Sequence, residues 1–271
     1  MRIESLDNAR VKDAVRLRDR RARKKTGRFL LEGRREILLA LDAGWPIERL
    51  FVESGAASAT VRDGSPGGLA VAERAEAAGT QVLPVNAAVY EKLAMRNRSG
   101  GLVGVAQIPD VGPERLRLPG APIVLAAAGI EKPGNVGALL RSADAFGADA
   151  FVVEGGTDLW NPNVVRASLG CLFTVPLAAV PPGGLCSWLQ SLSVKVVAAT
   201  PDGSRLPSQV DLAGGAVLLV GSEELGLGQD LLDVADEHVR IPMRGRVDSL
   251  NVSVSAGILL YEADRQRSSP R

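Results

Sequence analysis

The sequence predicts an α/β protein whose second half is built on a parallel sheet, and three observations carry that assignment. After residue 121 the runs "PIVLAAA", "AFVVEG", "SVKVVAAT" and "GAVLLVG" are apolar almost throughout and alternate with helical patterns. Strands buried on both faces read this way, and helices between them set the strands parallel. Before residue 107 a shorter alternation of amphipathic and apolar runs predicts a second, smaller α/β domain. Between the two lies "QIPDVGPERLRLPGA", which gathers three prolines and reads as a linker.

The first half begins with a charge run and continues with "REILLALDAGW", a short amphipathic helix ending at Gly44. The strand "IERLFVE", the helix "GGLAVAERAEAAG" and the strand "GLVGVAQI" complete it. The boundaries that follow are residues 1–106, a linker at 107–120, and residues 121–271. A chain of 271 residues with 46% hydrophobic and 23% charged residues is long and apolar enough to bury a core in each part.

The net charge of +1 conceals an asymmetry: residues 1–35 hold 13 Lys and Arg against 5 Asp and Glu, so the remainder carries −7. The densest part is "ARVKDAVRLRDRRARKKTGR", Ala9 to Arg28. A solvated helical face is the ordinary meaning of such a run. Its density, with only Asp13 and Asp19 to offset nine cations between Arg10 and Lys25, also suits a polyanion. No aromatic residues are interleaved for base stacking, so phosphate contact is the expected mode. Arg10, Lys12, Arg20, Arg21, Arg23, Lys24, Lys25 and Arg28 are the candidate nucleic-acid contacts. A second basic loop, "KLAMRNRSGG" from Lys92 to Gly101, fits either backbone phosphate or a solvated turn.

Cys171 and Cys186 lack the paired spacing of a zinc site and are expected to be buried structural thiols, with no metal centre. No apolar run reaches the roughly 20 residues of a membrane span, and "MRIESLDNAR" lacks the order of a secretory signal, so a cytoplasmic protein without a membrane partner is expected. The lone His238, in "DEHVRIPM", is expected to be structural.

"PGNVGALLRSADAFGA", Pro133 to Ala148, opens as a tight turn and continues as an amphipathic helix. Val136, Leu139, Leu140, Ala143 and Phe146 recur at helical spacing, and Gly147 ends the helix. Asn135 can cap the tip, a site that favours anions, and Gly137 would let a ligand come close. Arg141 falls on another face, with Asp144 one turn away. This is neither a Walker loop nor a dinucleotide fingerprint, which excludes a nucleotide-binding dehydrogenase. Further on, "LLVGSEELGLG" places a glycine-rich turn with Glu223 and Glu224 after a buried strand. "IPMRGRVDSLNVSVSAGILLYEADRQR" predicts a strand end at Ile241–Met243, a loop, and a long helix from near Ser249. Its apolar stripe is Leu250, Val254, Ile258 and Tyr261, and Ser249, Asn251 and Ser253 crowd its first turn.

Taken together, these segments resemble the SpoU family of RNA 2′-O-ribose methyltransferases, within the SPOUT superfamily, over the whole chain. "NVGALLRSADAFGAD" resembles the family's first motif, "LLVGSEELGLG" followed by "IPM" its second, and "SLNVSVSAGILLYEADRQR" its third. "NPNVVRASLGCLFTVPL" between the first two is also family-like. The resemblance implies a carboxy-terminal SPOUT domain, residues 121–271, with a parallel sheet and a deep trefoil knot. It implies a small L30e-like α/β domain, residues 1–106, that binds the RNA substrate. Knots are otherwise rare enough that the sequence alone argues against one.

The same resemblance implies S-adenosylmethionine (S-adenosyl-L-methionine) as cofactor, RNA as partner and a homodimer. Asn135, Arg141, Glu223, Ser249 and Asn251 match the family's catalytic positions. Leu219, Val220, Gly221, Gly226, Ile241, Met243, Leu250 and Val252 match its cofactor loops, with Gly221 admitting a flat ring against the backbone. Glu223 is expected to hold Asn135 and Arg141, with Ser249 and Asn251 on the floor beside the methyl group. A guanidinium is protonated under ordinary conditions and is no literal base, so Arg141 is expected to bind phosphate and stabilise developing oxyanion charge. The chain departs from the family at "EKPGN", where Lys132 intervenes, and at "GSEELG", where Glu224 adds charge. The full amino-terminal domain points to 23S ribosomal RNA; a transfer RNA enzyme and a non-catalytic RNA-binding or ribosome-assembly factor are the alternatives.

Overall fold

A computed structural model of the chain describes residues 2–55, 67–95 and 100–268. They form two compact units, Met1–Pro109 with Leu159–Thr174, and Asp110–Asp158 with Val175–Arg271.

The first unit starts from the charge run, which folds as two short helices, α1 (Ala9–Arg16) and α2 (Arg20–Thr26). Each has a side-chain cap: Asn8 accepts from the Arg10 amide at 2.9 Å and Asp19 from the Ala22 amide at 3.1 Å. Gly27, at φ +64°, ends α2 in the left-handed region, and its last turn is cationic, complementing the helix dipole. β1 (Arg28–Glu32), α3 (Arg34–Asp42), β2 (Ile47–Glu53), α4 (Gly68–Ala77), β3 (Gln81–Val85), α5 (Ala87–Leu93) and β4 (Leu102–Gln107) follow. The strands pair in the order β1-β4-β2-β3, with β4 antiparallel to both neighbours and β2 parallel to β3. The sequence predicts α3, β2, α4 and β4 but not β1, β3 or α5. "QVLPV" carries Pro84, which sequence patterning excludes from a central strand; β3 is an edge strand, where the missing amide costs no ladder bond. Phe51, Val85, Val89, Leu93 and Val103 are buried in this unit's core with Val11, Ala14 and Leu17 of the charge run.

In the second unit, β5 (Ile123–Ala128), α6 (Pro133–Ala145) and β6 (Ala150–Glu154) come first. Two short helices, α7 (Pro162–Ala167) and α8 (Cys171–Thr174), then belong to the first unit, where Trp160 and Phe173 pack around Phe29 with Trp45. β7 (Leu177–Val180), α9 (Gly184–Gln190), β8 (Val196–Ala199), β9 (Ala216–Val220), α10 (Gln229–Asp233), β10 (Glu237–Val239) and α11 (Val252–Ser268) complete the chain. The described residues form a six-stranded sheet in the order β10-β8-β9-β5-β6-β7, parallel throughout; the apolar runs predict the parallel arrangement and β5, β6, β8 and β9, but not β7 or β10. β5 and β9 are buried at every position in its centre. Two carboxylates start strands by accepting their leading amides, Asp149 from Ile123 at 2.7 Å and Asp236 from Val196 at 2.8 Å. The stretch read as a linker docks on this unit: the Ala179 amide donates to Val111 at 2.8 Å, and Leu116 and Leu118 pack on its core.

Five expectations are corrected here. Strand β10 ends at Val239, so Ile241–Met243 lies beyond it in a loop. Asn135 does not cap α6: Pro133 takes the first helical position, Lys132 precedes it, and no side chain caps the tip. Helix α11 starts at Val252 rather than near Ser249, because Asn251 accepts from the Ser253 amide at 3.0 Å and ends the loop. Its buried face is Val252, Ala256, Leu259, Leu260 and Ala263, whereas Val254, Ile258 and Tyr261 of the expected stripe are 49%, 37% and 55% exposed. "VSVSAGILLYEA" is apolar at two sets of helical positions, and periodicity alone does not choose between them. Cys171 is buried, but Cys186 is only half-buried, on α9 beside the Asp230 carbonyl.

Candidate active site

Three separated segments meet around one carboxylate. Glu223, in the loop after β9, accepts from Lys132 Nζ at 2.6 Å on Oε2 and from Asn251 Nδ2 at 2.5 Å on Oε1. Asn251 Nδ2 also donates to Asn135 Oδ1 at 3.1 Å, and the Asn135 amide hydrogen-bonds Glu223. The other end of the Asn251 side chain accepts from the Ser253 amide at 3.0 Å and from Ser253 Oγ at 2.5 Å. Asn251 thus caps α11 while joining it to α6 and the β9 loop. Lys132 beside it, with smaller help from Asn135 and Asn251, holds the Glu223 carboxyl below its ordinary value of 4.5 against a partial burial penalty. The same pair raises the Lys132 ammonium above its ordinary value.

The loop that presents Glu223 is closed by its own backbone. The Ser222 amide donates to the Gly226 carbonyl at 3.1 Å and the Gly226 amide to Ser222 at 3.0 Å. Any Cβ at residue 221 would overlap the Gly226 carbonyl, and Gly226 itself sits at φ +66°. The requirement for glycine at 221 is therefore met by the fold, without appeal to a ligand. This loop, Val252, Asn135 and the Gly129–Lys132 turn line an open cleft of which the Glu223 network is one wall.

The remaining expected site residues lie as follows. Arg141 is exposed on α6 and, among the described residues, makes no hydrogen bond or ion pair, with Asp144 included. It is six residues past Asn135, about 9 Å along the helix and about a third of a turn round, so Glu223 holds Asn135 and Asn251 but not Arg141. Gly137 is buried in the fold rather than facing a ligand. Ser249 stands apart from the network, its Oγ directed at Asp248 at 3.4 Å. Leu219 and Val220 are core side chains of β9 and present no side-chain surface to the cleft. Val252 lines the cleft from the start of α11. Ile241, Met243 and Leu250 are half-buried, and among the described residues their backbone amides donate no hydrogen bond. Lys132, read from the sequence as an interruption, is the network residue that sequence reasoning missed; its spacing three residues before Asn135 was the available signal. His238 Nε2 lies 2.9 Å from the Leu232 carbonyl, in the structural role expected.

Of the candidate RNA contacts, Arg10, Lys12, Arg20, Arg21, Lys24 and Lys25 are exposed, Lys12 paired with Asp7 at 2.8 Å. Arg23 is 2% exposed and its guanidinium donates to the Leu17 and Arg18 carbonyls, both at 2.8 Å. It staples the α1–α2 corner and presents no face to a phosphate. Arg28 is half-buried and paired with Glu48 at 2.7 Å. Residues 96–99 of the second basic loop lie outside the described residues. Among the described residues no group of His, Cys, Asp or Glu is arranged to hold a metal, and no helix is long and apolar enough to cross a membrane.

Comparison with known proteins gives the family. Residues 122–261 match the SpoU rRNA Methylase family and residues 8–104 the MRM3-like substrate binding domain. A 23S rRNA (uridine(2479)-2′-O)-methyltransferase of Streptomyces viridochromogenes is 30% identical over 94% of this chain and 88% of its own. A crystal structure of an RNA 2′-O ribose methyltransferase is 41% identical, with TM-score 0.82 over 98% of this chain and 99% of that one. An AdoMet-bound rRNA methyltransferase from Sinorhizobium meliloti is 31% identical, with TM-score 0.88 over 99% of both chains. With more than half of its length matched by the family model and near-complete overlap with these structures, the chain belongs to the SpoU rRNA methylase family.

Proposed function

We propose that the protein is an S-adenosylmethionine-dependent RNA methyltransferase that methylates a ribose 2′-hydroxyl, and that its substrate is 23S ribosomal RNA. The observation that carries this is the Asn135–Glu223–Asn251 network, which joins the three motif segments into one site. The substrate class rests on the relatives, among them 23S rRNA 2′-O-methyltransferases of Streptomyces viridochromogenes and Bacillus subtilis.

The donor set fits the cofactor. Ile241, Met243 and Leu250 offer partly exposed apolar surface, and their free backbone amides can serve an adenine ring. Leu219, Val220, Gly221 and Gly226 would contribute through backbone at the end of β9, and Val252 through its side chain. When bound, S-adenosylmethionine supplies a methyl group made electrophilic by its sulfonium. The chain has to position the ribose and ease loss of the hydroxyl proton. Glu223 keeps both oxygens engaged and ionised, so it orients Asn251 and Asn135 rather than accepting the proton. Arg141, exposed and unpaired among the described residues, is the phosphate clamp that steadies oxyanion charge as the proton passes to water. Ser249 joins the floor of the site once ligands are in place.

The division of labour follows the family: residues 1–106 as an L30e-like RNA-binding domain, 107–120 as linker, and 121–271 as a trefoil-knotted SPOUT domain. The exposed Val254, Ile258 and Tyr261, with Phe146 stacked edge-on against Tyr261, support a homodimer built on α11. Calorimetry with S-adenosylmethionine and ribose-methylation maps of total RNA with and without the protein test the reading. Expected are saturable cofactor binding and one lost 23S position. Absence of cofactor binding would leave an RNA-binding assembly factor, and a lost transfer RNA position would reassign the substrate.

A further inference from the structure

Outside the active site, the first unit holds a second cleft of about 280 Å³, close to the roughly 300 Å³ at which ligand sites begin. Its floor is apolar, formed by Ala14, Leu17 and Val105, all buried. Its rim is cationic: Arg16, Lys25, Arg28 and Arg49 line it with one acid, Asp13, and Glu48 lies behind Arg28 and Arg49. Arg28 is committed to Glu48, and Arg16 lies 3.6 Å from Asp13. Among the described residues, the side chains of Lys25 and Arg49 make no hydrogen bond or ion pair.

The backbone is arranged to bring Arg49 there. β2 and β4 shift register between Ile47 and Arg49, so Ile47 pairs with Ala106 and Arg49 with Val105. An unbroken ladder would set Glu48 opposite Val105. The bulge sets Arg49 beside Val105 at the cleft floor. An apolar floor for a base or sugar, with free cations at the rim, is the complement of a nucleotide carrying its phosphate.

We infer that this cleft is a nucleotide subsite for the RNA substrate, taking one phosphate-bearing nucleotide other than the one methylated, with Arg49, Arg16 and Lys25 on the phosphate. It rests on the proposed RNA methyltransferase activity and adds Arg16 and Arg49, which the charge run alone does not single out. The test is methyl transfer by the full chain to a 23S ribosomal RNA transcript, at varied RNA and salt, with Arg49→Glu and the charge-neutral Ala22→Trp, which fills the cleft from α2. Each is expected to raise KM for RNA about tenfold while kcat changes less than about twofold and cofactor affinity is unchanged. The salt slope of RNA binding should fall by about one for Arg49→Glu and stay constant for Ala22→Trp. Unchanged KM in both variants overturns the subsite, and so does an effect of Arg49→Glu with none from Ala22→Trp, since a surface field alone then suffices. If Ala22→Trp does not fold, Thr26→Trp on the same rim takes its place. A wild-type protein that transfers no methyl ends the enzymatic reading, and RNA binding by the same variants still decides the cleft.

Discussion

Both oxygens of Glu223 are engaged, by Lys132 at 2.6 Å and Asn251 at 2.5 Å, and the consequences are electrostatic and geometric. A carboxyl whose folded value is depressed contributes above its unfolded value, and that contribution is lost as pH falls through the folded value. Glu223 should therefore keep the network intact through neutrality, and the acid limb of a measured kcat/KM profile is expected below the ordinary carboxyl value of 4.5. Lys132→Ala should move that limb upward toward 4.5, with a rate loss under about tenfold, since an exposed pair contributes little energy of its own. Arg141→Ala should cost about 100-fold to 1,000-fold in kcat, and Arg141→Lys should also lose heavily because an ammonium lacks the two-pronged donor geometry. Near-full transfer in both variants would remove Arg141 from catalysis. At this scale Asn135, Glu223 and Asn251 are legible in the sequence as motif positions. Their mutual contacts are not, because 116 residues separate Asn135 from Asn251. Arg23 shows the opposite failure: within a charge run an arginine that caps a corner cannot be told from one that meets solvent.

Helix α11 links the candidate site to the face proposed for dimerisation. Its cap residue Asn251 belongs to the network, Gln266 near its end donates to the Val210 carbonyl at 3.0 Å, and its outer face leaves Val254, Ile258 and Tyr261 exposed. Val254→Lys with Tyr261→Lys should convert a sedimenting dimer to a single chain without unfolding it; a wild-type protein that sediments as one chain would contradict the dimer. The β9 loop is equally specific. Gly221→Ala should destabilise by about 1–3 kcal/mol in denaturant unfolding, because the added methyl has only backbone to displace. The central strands were legible because "GAVLLVG" and "PIVLAAA" are buried on both faces. The α11 face was not, since two apolar faces compete on one helix and only the rest of the fold selects between them. The three-residue β10 falls below what periodicity can resolve, and Pro84 hides β3.

For the whole molecule, the charge division is the property that sequence reads best. An excess of +8 in residues 1–35 sits on the unit that matches a substrate binding domain, and the remainder is acidic. Its helices expose Arg10, Arg20, Arg21, Lys24 and Lys25 together. What composition could not reveal is that Leu159–Thr174, between two strands of the parallel sheet, packs with the first unit through Trp160 and Phe173. The central claim is that the chain places a methyl group on a ribose hydroxyl of RNA. Purified protein, S-adenosylmethionine labelled in its methyl group and deproteinised 23S ribosomal RNA, followed by digestion to nucleosides, test it directly. Label on a single 2′-O-methyl nucleoside, absent with Arg141→Ala, is the expected result. Label on a base, or none in RNA despite bound cofactor, would contradict the account.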